Sequence, residues 1–307
     1  MTQVNVAGSR SARNGEPGAG VSSARAARPA RGAGPRWSFG SAAVAVGAAL
    51  LAVVWLIPLA WALSTSLKPE AETTRIPLSL LPSTVTVDAY TSVLSNGDIV
   101  RWFWNSTVVS VLVTVLTLVV SVLAAYGFSR TRFPGRSVLF AIVVAGILVP
   151  PQVLIVPLFD EMVTLGLVDT YWGIALPQVV APIMVFILKK FFDGVSRDYE
   201  DAARVDGASR LRIVWSVILP MSKPILVAVA IFTFIQAWNN FLWPFIVTTD
   251  PQMMTIPVGL ANVQGSYGLR YAQVMASAVL GGLPLLVVYA LFQRHVIRGV
   301  GDAGIKG

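Results

Sequence analysis

The 307-residue chain contains no cysteine, a single histidine and only 15 acidic residues. Each shortage removes a class of chemistry. Without cysteine there is no disulfide framework, no thiolate nucleophile and no thiolate-ligated zinc or iron–sulfur centre. With His295 as its one imidazole, the chain argues against a histidine-ligated metal and against a Ser-His-Asp triad. Charge is scarce as well: 12% of residues are charged, against roughly 25% in soluble domains. Hydrophobic residues make up 55% and the mean hydropathy is +0.70. These proportions point away from an enzyme and towards lipid as the solvent.

Six stretches carry no Asp, Glu, Lys or Arg: 37–67, 102–129, 137–159, 170–188, 224–249 and 271–293. A hydrocarbon core about 30 Å thick needs about 20 helical residues, so each can span it. The expected fold is therefore all-α and integral to the membrane, with six transmembrane helices at about 40–66, 102–127, 137–159, 170–190, 224–248 and 271–293. A seventh uncharged run, 251–269, holds two prolines and three glycines, so no continuous apolar helix is expected there.

The net charge of +8 raises the question of a nucleic-acid partner, and the placement of the charges answers it. All 23 basic residues fall in tails and loops, 19 on one side of the predicted membrane and four (Lys68, Arg75, Arg101, Arg270) on the other. Such a bias is the positive-inside pattern of a multi-pass plasma-membrane protein, and it predicts cytoplasmic N and C termini. Residues 1–36 read as a disordered basic cytoplasmic arm, rich in Ala, Arg, Gly, Ser and Pro. Residues 37–293 are expected to form the six-helix transmembrane domain, and 294–307 a cytoplasmic tail.

No ionisable group lies inside the six stretches, although an ion-coupled transporter needs one to stabilise the coupled charge. Polar content there is neutral: Asn105, Gln152, Gln178, Gln236, Asn239 and Asn240 among others. Two readings stay open for these amides, a lining for a hydroxyl-rich neutral solute and hydrogen bonding between helices. Trp238, Phe241 and Trp243 carry the same pair of readings, as sugar-stacking faces or as belt and packing residues. Proline recurs at Pro150, Pro151, Pro157, Pro177, Pro182, Pro244 and Pro284, and the group at 150–152 is a candidate kink.

The predicted cytoplasmic loop 189–223 is long for a bundle connection. Within it, Ser196 or Asp198 can cap a short helix in which Glu200 precedes Arg204 by four. Gly207 suits the left-handed stop of that helix. Leu211, Val214, Trp215 and Ile218 then recur at helical spacing, predicting a second amphipathic helix that ends at Leu219-Pro220. Four acids and one Arg among residues 198–206 fit a protein cleft better than a layer of anionic headgroups.

The run DAARVDG at 201–207 followed by VILP at 217–220 closely resembles the EAA loop of binding-protein-dependent ABC import permeases. Asp201 stands where that pattern usually has Glu, and Val217 where it has Ile. SLKPE at 66–70, WFWNS at 102–106, YGFSR at 126–130, WNNFLWP at 238–244 and the ending QRHVIRGVGDAGIKG look like the maltose-type carbohydrate permeases. The resemblance implies the type I ABC importer permease fold. It further implies a coupling loop at 194–223 in which Glu200, Asp201, Ala202, Ala203 and Gly207 contact an ATPase or form the turn, while Leu219 and Pro220 anchor the second helix. Gly304, Ile305, Lys306 and Gly307 resemble a tail that reaches between ATPase subunits.

The implied partners are a second permease, a cytoplasmic ABC ATPase dimer and an extracytoplasmic sugar-binding protein, with membrane lipid around them and no nucleic acid. The chain has no GxxxxGK[ST] motif, so it carries no cofactor, and Mg-ATP belongs to the partner. Gln152, Gln236, Trp238, Asn239, Asn240 and Trp243 are the candidate substrate pathway. Competing readings are a permease for glycerol-phosphate or another sugar derivative, an ion-coupled secondary transporter and a membrane-embedded enzyme such as a lipid-linked glycosyltransferase.

Overall fold

The computed structural model describes residues 39–95, 98–266 and 270–304. The basic arm 1–36 and the tail residues Ile305, Lys306 and Gly307 lie outside them. Residues up to Val54 and from Trp55 onward form two compact units. Among the described residues the first unit contributes only the start of helix α1, Phe39–Ser66. Alpha helices dominate the second.

Among the described residues, three helices are long and apolar enough to cross a membrane: Ala42–Ser66 within α1, α2 at Asp98–Arg130, and Tyr271–Phe292 within the last helix, Tyr271–Gly304. Three bent pairs pass the same test and would bring the count to six, but one of them, Arg210–Met221 with Lys223–Trp238, takes its first half from the loop before the expected fifth span, which itself divides into Lys223–Trp238 and Leu242–Val247. The expected third span, 137–159, is broken into Arg136–Leu148 and Pro151–Thr164 with a 95° turn between them. The fourth divides into α5, Tyr171–Val179, and α6, Pro182–Asp193, bent by 50°. Between α2 and α5 lie α3, Arg136–Ala145, and α4, Ile155–Thr164.

Proline explains both breaks. A residue that precedes proline clashes with the pyrrolidine ring in the α conformation and moves to extended backbone. Val149, before Pro150, has ψ 115°; Ala181, before Pro182, has ψ 89°. Pro58, Pro177 and Pro284, by contrast, sit inside continuous helices. The PPQ group is thus a full break rather than a kink.

The run 251–269, rejected as a seventh span, forms a helix only at Ile256–Ser266, of 11 residues. It is too short to span. Its Val258 is buried, and Gly259 is there because a Cβ would stand 2.2 Å from the Trp102 ring.

Helix α2 is the hub. It packs against α5, α6 and the helix Lys223–Trp238. Its buried residues, Trp102, Asn105, Ser106, Val109, Ser110, Val113, Thr117, Ser121, Val122, Ala125, Tyr126 and Ser129, recur every three or four positions and form one stripe. Small hydroxyl residues along that stripe let neighbouring backbones approach, as membrane helix packing requires where lipid supplies no hydrophobic drive. The outward face of α2 exposes Val111, Val115, Val119 and Leu123, a surface suited to lipid.

Candidate functional site

The loop 194–223 folds into two helices at one end of α2. The first is α7, Asp198–Val205. Ser196 accepts from the Asp198 amide at 3.3 Å and so assists its start. At its end Gly207 adopts φ +79°, the Ala208 amide donates to the Ala203 carbonyl and the Gly207 amide to that of Arg204, both at 3.0 Å. These are the two bonds of a Schellman stop, which a left-handed glycine permits without steric cost.

Ser209 caps the second helix, α8, at Arg210–Ile213, which continues through a π-helical turn at Val214–Ile218 into Leu219–Met221. The chain then bends 86° at Ser222 into α9, Lys223–Trp238. The π turn changes which side chains face inward. Ile213, Val214 and Ile218 are buried against Tyr126, Leu188 and Phe192, with Val217 and Leu219 packed at the margin. Leu211 and Trp215, placed on the buried face by an ideal 3.6 period, are instead exposed. Burial of Ile213, Val214 and Ile218 stabilises the docked loop by about 1.5–3 kcal/mol per side chain relative to water.

Glu200 corrects a second expectation. Its side chain is 2% exposed and points inward, so it is an anchor and not a contact residue. Its Oε1 lies 2.9 Å from Arg130 Nε at the end of α2, an ionic contact lacking the alignment of a hydrogen bond. Arg130 also donates to the carbonyl oxygens of Val195, at 2.7 Å, and Phe192. Arg204 completes the cluster, 3.3 Å from Glu200 and 2.5 Å from Asp201. A pair so buried is retained only where each charge has further polar partners, as here.

The face left outside mixes apolar with charged side chains. Tyr199, Ala202, Val205, Leu211 and Trp215 are exposed, Val205 to 89%, while Ala203 is half-buried against the core. Asp201 and Asp206 are exposed beside them, and Pro220 is exposed where Leu219 is half-buried.

The opposite end of α2 is fastened differently. Asn105 is fully buried; its amide donates to the carbonyls of Gln252 and Met254 at 2.7 and 2.9 Å and it accepts from the Tyr171 hydroxyl at 2.7 Å. Trp102 Nε1 donates to Pro251, and Ser106 accepts from the Ile256 amide. Asp169, at φ 58°, accepts from the Thr249 and Asp250 amides at 2.6 and 2.9 Å and from the Thr249 hydroxyl. Burial pushes its carboxyl up, but these hydrogen bonds outweigh burial and hold it below the usual carboxylate range.

The six pathway residues do not form one lining. Trp238 and Trp243 are buried, their indole N–H groups donating to Gly281 and Gly173 at 3.2 and 3.1 Å, so they are packing residues. Asn240 donates to Gln178 at 2.7 Å and ties α5 to the break after α9. Gln236, on α9, and Asn239, at its C-terminal cap, are exposed three residues apart, and Gln152 is exposed at the break between α3 and α4. Among the described residues no group of three or more His, Cys, Asp and Glu could hold a metal. Sequence reading missed Arg130 as Glu200's partner and Asp169 as a clamp, since each pairing joins residues distant in the chain.

A bundle of broken apolar helices around one central span, with an anchored helical loop at one end, is the architecture of a membrane permease. Residues 117–302 match the family of binding-protein-dependent transport system inner membrane components. The chain belongs to this family, whose members are the membrane permease subunits of ABC importers. It is 36% identical over 276 residues to the arabinooligosaccharides transport system permease protein AraQ of Bacillus subtilis, covering 89% of this chain and 98% of that one. It is 35% identical to the trehalose/maltose transport system permease protein MalG of Thermococcus litoralis, over 85% of this chain and 95% of the relative. A crystal structure of a bacterial ABC transporter that imports the acidic polysaccharide alginate matches with TM-score 0.75 and 25% identity, over 85% of this chain and 99% of that one.

Proposed function

We propose that the chain is a membrane-spanning subunit of an ATP-driven importer for a carbohydrate, working by alternating access with a second permease, a cytoplasmic ATPase dimer and an extracytoplasmic binding protein. The observation that carries this reading is the loop 198–221. It is fixed to α2 through Arg130 and Glu200 and to the core through Ile213 and Ile218, and it turns Tyr199, Ala202 and Val205 outward. A lever needs both properties, a rigid root and a free contact face. ATP closure of the partner would push that face, and the root would pass the displacement to α2 and α9.

Coupling requires each ligand to favour one state of the bundle, so the binding protein must act on the loops near Asp169 and Asn105 as the ATPase acts on α7. Exposed Gln236, Asn239 and Gln152 are neutral, which fits an uncharged sugar better than glycerol-phosphate or another anionic derivative. Relatives named for arabinooligosaccharides and for trehalose and maltose support a carbohydrate substrate, while the structural neighbour that imports an acidic polysaccharide leaves the neutrality of the sugar resting on these side chains alone. The positive-inside bias supports a cytoplasmic side for both termini and the coupling loop, and in this reading Mg-ATP is held by the partner.

Extraction of the tagged chain from its native membrane tests the reading. An ATPase and a second permease are expected to co-purify, with ATP hydrolysis stimulated by a sugar-loaded binding protein. A chain that purifies alone and still transports overturns it.

A further inference from the structure

Beside the buried ion pair lies a cavity of about 380 Å³ lined by Tyr126, Thr131, five arginines and two acids. The arginines are Arg130, Arg132, Arg197, Arg204 and Arg210; the acids are Glu200 and Asp201. Glu200 and Asp201 already pair with Arg130 and Arg204. Arg132, Arg197 and Arg210 have no side-chain hydrogen bond or ion pair among the described residues, and all three are exposed into the same opening.

Three guanidinium groups facing one cavity repel one another unless an anion sits between them. Each offers a planar fork of donors that matches phosphate oxygens in pairs. Height in the membrane narrows the choice of anion. The apolar run of α2 ends at Ser129, so Arg130 and Arg132 mark the boundary between hydrocarbon and water, the layer that headgroup phosphates occupy. On α7, Arg197, Glu200 and Arg204 share one side, while Ala202 lies on the far side of the helix, on the face proposed for the ATPase.

We propose that this cavity binds a phosphate-bearing anion, presented by an anionic lipid headgroup or as free phosphate, and that the anion braces α7 against the end of α2. The inference does not depend on which protein docks on the loop. It gives the arginines a role separate from the apolar contact face.

Native mass spectrometry of the full-length chain, in maltoside micelles with whatever subunits co-purify, tests it with phosphatidylglycerol, phosphatidylcholine and pyrophosphate as probes. One retained phosphatidylglycerol and no phosphatidylcholine is expected if lipid is the source, one retained pyrophosphate if the source is soluble. The combined variant Arg132→Gln, Arg197→Gln, Arg210→Gln should weaken retention about a hundredfold, at roughly a factor of five for each charge removed. The corresponding lysine variant should recover part of it, since charge returns without the fork. Independently of any variant, raising salt from about 0.1 M to about 1 M should release the ligand from the unaltered chain. Equal retention by the chain and the glutamine variant, or retention of no probe, overturns the proposal. Loss of a co-purifying protein without any change in anion retention overturns it in favour of a protein contact.

Discussion

The two ends of α2 fasten their neighbouring segments by opposite means. At Asn105 a neutral amide satisfies two backbone carbonyls and accepts from a tyrosine hydroxyl, closing a buried polar network. At Arg130 a buried charge holds a second charge on a helix that is otherwise open to solvent. Neutral networks of that kind are rigid because every partner is spent. An ionic root is costly to halve but leaves the loop's outer face available. The difference teaches which end was built as a fixed frame and which as a part that must receive another protein.

Breaking the ionic root should have the largest effect. Glu200→Ala strands a buried guanidinium and is expected to cost about 3–5 kcal/mol, read as thermal unfolding in detergent, whereas removing both partners with Arg130→Met and Glu200→Leu should recover most of it. A single variant as stable as the parent would dissolve the contrast. Next comes the neutral end: Asn105→Ala leaves the Gln252 and Met254 carbonyls unpaired and should cost about 1–3 kcal/mol, with faster amide exchange at 252–256 as the local readout.

Smaller effects sharpen the comparison. Gly207→Ala forces a Cβ into φ +79° and should cost about 1 kcal/mol through the Schellman turn, loosening α7 but not the outer loops. The Asp169 clamp adds a pH signature. A carboxyl whose folded value is depressed contributes stability that is complete above its unfolded value of about 3.9 and is lost as pH falls through the folded one. Unfolding scans below about pH 5 should therefore show a steeper acid limb for the parent than for Asp169→Asn. Least of all, Val205→Asp should leave stability within about 0.5 kcal/mol while abolishing recovery of the ATPase.

Much of this was legible in the sequence. Apolar run length located the three long helices Ala42–Ser66, Asp98–Arg130 and Tyr271–Phe292 but not the breaks in the other runs, and local chemistry gave the α7 start, the Glu200–Arg204 pair and the Gly207 stop, because each acts within a few residues. Three things were hidden. The π turn at 214–218 adds no sequence signal, and in the helix around it Leu211 and Trp215 are exposed while Ile213 is buried. The pairings Arg130–Glu200 and Asp169–Thr249 join positions 70 and 80 residues apart, beyond any periodic pattern. Trp238 and Trp243 look alike as belt, sugar-contact or packing residues until their N–H partners are seen.

The absence of cysteine, which excluded so much chemistry, supplies the decisive experiment. Val205→Cys gives a single thiol on the exposed face of α7, and a short thiol-directed photo-cross-linker attached there reports its neighbour in native membranes. The account predicts one dominant adduct, with an ATP-hydrolysing subunit, that strengthens when nucleotide binds. Adducts with lipid alone, or equal labelling of the thiol before and after peripheral proteins are stripped, would contradict it.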